Sequence, residues 1–178
     1  RVVGGTPVIE RNTISGLASF TLGDPNFQAS ALTDLSSLRG NSSPGNANRT
    51  LGLGNVAITA TTDFSGFAEM AVASSLATVT IPEGLAVTLG SIGVSGAGTL
   101  RVLGSLDVSN APVSISRLDV GAATPTGRTA RVTLNGASVT SSIVLDGGSQ
   151  LSIANSPLMG SRLSYKPSTL APARATDS

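Results

Sequence analysis

The side chains of this sequence that could do acid–base or ion-binding chemistry are few, and four of them fall close together: Arg101, Asp107, Arg117 and Asp119. Two carboxylates within about 5–10 Å of one another can cleave a glycosidic bond, one as acid and the other as base or nucleophile. Asp107 and Asp119 lie on neighbouring short runs, Leu106-Asp107-Val108 and Arg117-Leu118-Asp119-Val120. Their spacing permits such an approach and does not require it. A surface ion pair of Arg101 with Asp119, with Arg117 beside it, meets the same pattern and is worth at most about 1 kcal/mol.

Other candidates have simpler readings. Asp146-Gly147-Gly148 occurs once, without companion carboxylates at ligand spacing, so it reads as a tight turn and not as a calcium loop. Thr59, Thr61, Thr78, Thr80 and Thr99 would form an outward threonine array of the kind that binds ice or a crystal surface. Arg117 and Asp119 interrupt it, and threonine is a favoured strand residue anyway. The glycine-rich stretches at 4–5, 52–54 and 93–98 are followed by no Lys-Ser/Thr, so they are not phosphate loops. Asn41-Ser42-Ser43 and Asn48-Arg49-Thr50 match the N-glycosylation pattern in what reads as an exposed loop.

The chain has no Cys and no His. Disulfides, thiolate or imidazole metal sites and His-dependent relays are excluded. Eleven basic residues stand against ten acidic ones and are scattered singly, for a net charge of +1. Nothing resembles a basic stripe that would neutralise a phosphate backbone, so no nucleic-acid partner is expected. No catalytic, cofactor-binding or metal-ligating residue is assigned, and no cofactor is implied. The role expected is structural or adhesive, not enzymatic.

The elements that would position these side chains are short strands. From Asn55 onward, runs of three to five residues alternate apolar and polar: Thr78-Val79-Thr80-Ile81, Leu85-Ala86-Val87-Thr88-Leu89, Ala130-Arg131-Val132-Thr133-Leu134 and others like them. Gly, Asn, Asp, Ser or Pro separates most of these runs. Such alternation buries one face of each strand. Inward candidates recur near every 20 residues, at Ala60, Val79, Leu100, Leu118, Val139 and Leu158, with a second series at Phe67, Val87 and Val108. A 20-residue unit of short strands cannot bury its own apolar edge, and stacked copies can. The phase slips between Leu118 and Val139, where residues 121–129 read as a loop thrown out of one coil. The alternation also fits an antiparallel β-sandwich or jelly roll. The supply of aromatics, only 3%, favours the narrow coil, which is filled by aliphatic and small side chains.

The expected organisation is therefore a cap and loop over residues 1–54, a β-solenoid over 55–163 and an extended arm over 164–178. In the cap, Asp24 and Pro25 begin a helix candidate, with Phe27, Ala31, Leu32, Leu35 and Leu38 on one face and Gly40 at its end. The most apolar stretch, residues 85–94, is broken by Thr88, Gly90 and Gly93 and is far shorter than the roughly 20 residues that span a bilayer. No transmembrane segment is expected. The start at Arg1 in place of Met suggests a removed leader or a piece of a longer chain.

The stretches ATVTIPEGLAVTLGSIGVSGAGTLRVLGSLDVS and ARVTLNGASVTSSIVLDGGSQLSI resemble right-handed parallel β-helix proteins of the pectin-lyase-like type, an architecture found also in bacterial adhesin passenger domains and phage tailspikes. The resemblance covers somewhat less than half of the chain. It lies in the apolar arcs and their Gly or Asn corners, and no catalytic motif comes with it. It implies a protein displayed outside the cell, on a cell surface or on a virion, that associates with itself or with a larger assembly. A glycan is the alternative partner, bound or cleaved by a β-helix module. A sugar platform normally uses exposed aromatics, however, and the sequence holds one tyrosine, Tyr165, and four phenylalanines.

Overall fold

The computed structural model describes residues 8–13, 19–22, 35, 38–42, 50–64, 66–72, 74–121, 129–166 and 174–177. Every pairing between its strands is parallel. The chain winds as a β-solenoid of about five turns, in which each regular turn lays down three strand segments. The first two segments of successive turns share one ten-stranded sheet, and the third segments form a five-stranded sheet. The antiparallel sandwich is thereby ruled out. A sandwich pairs strands through hairpins, whereas here each segment pairs with its equivalent one turn away.

One turn illustrates the pattern. Gly93–Val102 supplies the first and second segments, bending at Gly96-Ala97-Gly98, and Ser105–Ser109 supplies the third. The next turn repeats this with Pro112–Val120 and Arg131–Asn135. The bend brings consecutive turns too close for side chains. A Cβ on Gly96, whose φ is +112°, would run into the carbonyl oxygen of Val72 on the preceding turn.

The core is a set of stacked aliphatic columns. Along the second segments, Val79 pairs with Leu100, Leu100 with Leu118, Leu118 with Ile143 and Ile143 with Leu163. The steps between them are 21, 18, 25 and 20 residues. Val79, Leu100, Leu118 and Ile143 are all buried, each burial contributing about 1.5–3 kcal/mol. Leu51, Met70, Val94, Val113 and Val139 form the first-segment column, joined by Leu158 through an isolated bridge. Val87, Leu106, Val132 and Leu151 form the third.

These registers correct the expected columns in three places. Val139 does not follow Leu118; it belongs to the first segments, between Val113 and Leu158. The cause is the insertion read from the sequence. Ten residues separate Val120 from Arg131, against two between Val102 and Ser105. Extra chain at one corner shifts the numbering without disturbing the rungs on either side. Of the expected loop, residues 122–128 lie outside the described residues. Ala60 is exposed, and Val56 takes the place expected for it, opposite Val79. The chain leaves the strand after Ile58 because Thr59 and Thr62 close a local turn, Thr62 N–H donating to Thr59 O at 3.1 Å and Thr59 N–H to Thr62 Oγ1 at 3.0 Å. In the second series Val87 pairs with Leu106, and Val108 pairs with Gly90 across a bulge. Phe67 is buried in a turn of its own.

The parallel sheet also runs past residue 55 toward the N-terminus. Thr50–Leu53 pairs with Glu69–Val72 on one side and with Ser19–Leu22 on the other. Leu38–Arg39, at the end of the helix candidate, is a strand paired with Ile9–Glu10. Apart from Leu35, Leu38 and Arg39, that candidate lies outside the described residues, which contain no helix. At the other end, Arg162–Lys166 and Arg174–Asp177 pair in parallel with the turn before them. The described part of the expected arm is thus a further turn.

One corner shows why the sequence folds this way locally. Asn110, Gly136 and Asn155 occupy the same corner on successive turns, each left-handed, with φ of 56°, 64° and 51°. Asn and Gly are the residues that adopt this conformation at least cost. Asn110 N–H donates to Asn135 O at 2.8 Å and Gly136 N–H to Ala154 O at 2.9 Å, so the corner stays paired between rungs.

Candidate functional site

Arg101, Arg117 and Asp119 come together on the outer surface of the second segments. Asp119 pairs in register with Arg101 one turn below. Arg117 Nε donates to Asp119 Oδ1 at 2.6 Å, and Arg101 Nη2 lies 3.9 Å from Oδ2. The Asp119 side chain is buried, while both arginines remain about half-exposed. Two guanidinium groups thus neutralise one sequestered carboxylate. An exposed ion pair contributes little to stability, but a carboxylate shielded from water needs its partner.

Asp107 does not join them. It stands on Ser105–Ser109, in the five-stranded sheet, where Ser109 Oγ donates to its Oδ1 at 3.2 Å. Its neighbours in register are Thr88 and Thr133. The two carboxylates that could have formed a glycosidase pair therefore belong to different sheets. Asp146-Gly147-Gly148 is a tight turn, closed by Ser149 N–H to Asp146 O at 3.1 Å. Among the described residues no cluster of three or more His, Cys, Asp or Glu could hold a metal ion, and no helix is long and apolar enough to cross a membrane.

The threonine array is short. Thr78 pairs with Thr99, and Thr80 with Arg101. Thr59 and Thr61 lie in the turn after Ile58, their hydroxyl oxygens 3.3 Å apart. Asn41, expected in an exposed loop, is buried. Its Oδ1 accepts from the backbone and the side chain of Asn12, both at 3.1 Å, and its Nδ2 donates to Ile9 O at 2.9 Å. That nitrogen, the atom a glycan would occupy, is committed to the fold. Asn48 lies outside the described residues.

Two features escaped the reading of the sequence. The first is a trough of about 420 Å³ on the outer surface of the third segments, lined by Arg131, Thr133, Gln150, Ser152 and Thr176, with Leu151 beneath. Arg131-Val132-Thr133-Leu134 and Gln150-Leu151-Ser152-Ile153 share one polar–apolar pattern, and that likeness is the signal that could have found it. The second is the last described turn. Leu158, Leu163 and Tyr165 are 46%, 51% and 48% exposed, whereas Val139, Ile143 and Leu145, their partners one turn earlier, are at most 3% exposed. Met159, beside them, is exposed as well.

The chain matches no protein-family model, no curated protein sequence and no solved structure. The fold and these surface features are therefore what bears on function.

Proposed function

We propose that this protein is a structural or adhesive element, displayed on a cell surface or virion, that associates with copies of itself or with a larger assembly. The observation that carries this reading is the exposure of apolar side chains on the last described turn. Leu158, Leu163 and Tyr165 sit in core columns, and no further turn stacks on them among the described residues. At the other end, Ile9, Leu22 and Leu38 are buried. An uncovered rung presents apolar side chains together with a strand edge, the combination that pairs with another chain. Arg162 and Lys166, both exposed on that strand, restrain indiscriminate pairing and favour a partner that meets their charge. The separation of Asp107 from Asp119 in different sheets supports a role without catalysis.

Light scattering of the purified chain across a concentration series tests the reading. Self-association that Leu163→Asp abolishes, with the circular dichroism spectrum unchanged, is the expected outcome. A monodisperse monomer at every concentration would count against it.

A further inference from the structure

We propose that the trough on the third segments is a binding site for an acidic oligosaccharide, with Arg131 meeting the carboxylate or sulfate of the sugar. The trough reaches the last described turn at Thr176, but Arg131 lies two turns below it and on the other sheet from Leu163, so Arg131 and Leu163 variants test the two readings separately.

Three observations carry the inference. First, the trough is a grid of hydrogen-bonding groups on rungs about 4.8 Å apart. Arg131 and Gln150 pair in register, and beside them Thr133 pairs with Ser152 and Ser152 with Thr176. Hydroxyls and an amide at a regular spacing suit the hydroxyls of an extended sugar chain. Second, Arg131 is exposed and forms no ion pair with any described residue. Arg101 and Arg117, by contrast, are committed to Asp119. A guanidinium fork not held by a protein carboxylate is suited to bidentate contact with a ligand carboxylate or sulfate. Third, no aromatic side chain is among the described residues that line the trough. A neutral sugar bound without a stacking platform would gain little beyond hydrogen bonds exchanged with water. The charge of Arg131 must therefore select the ligand, which makes the ligand acidic. Asp107, next to Thr133 in register, repels an anion one rung away and so places the acidic group at the Arg131 end.

Isothermal titration with a galacturonate oligomer, its neutral galactose counterpart and a single-stranded oligonucleotide of equal charge tests this. The acidic oligomer is expected to bind, with affinity falling as salt is raised. Arg131→Gln should weaken binding about tenfold or more, and Arg131→Lys, which keeps the charge and loses the fork, should bind at an intermediate level. Arg101→Gln, on the other sheet, should leave binding unchanged. Circular dichroism shows whether each variant keeps the β spectrum. No binding of the acidic oligomer would overturn the proposal. So would equal binding of the neutral sugar or the oligonucleotide, or an equal loss in Arg101→Gln.

Discussion

The central turns and the last described turn place the same kinds of side chain at the same register positions, yet the two regions differ in what their residues can do. Leu118 and Leu163 occupy one column. Leu118 has a turn on each side and is fully buried; Leu163 has a described turn on one side and is half-exposed. In a solenoid each turn is the solvent-excluding wall for its neighbours, so a residue's burial depends on the number of turns stacked on it. The central turns hold the structure together, and the last described turn leaves apolar side chains exposed.

Urea denaturation of paired variants would sharpen this contrast. The largest effect is expected from Leu118→Ala, which leaves a cavity between two turns and should cost about 2–5 kcal/mol. Gly96→Ala comes next. It combines a left-handed backbone with a collision against the carbonyl oxygen of Val72, and should cost about 1–3 kcal/mol. Gly160, on the last turn, also has a positive φ, but a Cβ placed there would meet no atom within 4 Å. Gly160→Ala carries the backbone strain alone and should cost about 1 kcal/mol. In the ion trio, Arg117→Ala leaves the shielded Asp119 without its hydrogen bond and should cost about 1–2 kcal/mol. Asp119→Asn only frees two half-exposed arginines and should cost under about 1 kcal/mol. The smallest effect is expected from Leu163→Ala, under about 1 kcal/mol for a side chain that is still half in water. Equal losses at Leu118 and Leu163 would show that the last turn is covered in solution, and the contrast would collapse.

Much of the fold was legible because alternation is a local property. Thr78-Val79-Thr80-Ile81 and Leu106-Asp107-Val108 declare an inner and an outer side without reference to any other part of the chain. The steps Val79 to Leu100 to Leu118 were legible for a related reason: the corners between them are short and of similar length. The register failed where a corner changed length, after Val120. The same alternation is compatible with Val139 or Ile143 as the next rung, and only the pairing of Leu118 with Ile143 decides between them. The site was less legible than the fold. Arg101 and Asp119 meet as their spacing predicts, because both lie on the well-phased part of the column. Asp107 was not separable from Asp119 in the sequence, since the Asn110 corner between their strands marks a turn but not which sheet each strand joins.

The sequence by itself determined that this chain forms short strands with an aliphatic inner face and Asn or Gly corners, and that it lacks thiol and imidazole chemistry. Those properties follow from composition and from patterns a few residues long. The tertiary structure alone decided that those strands pair in parallel, that Asn41 is buried, that Arg131 opens onto a trough with Gln150 and Ser152, and that Leu158, Leu163 and Tyr165 are half-exposed on the last described turn. Each of these depends on contacts between residues about one turn or more apart. The length of a turn is set by its corners, and the exposure of a rung is set by what stacks on it.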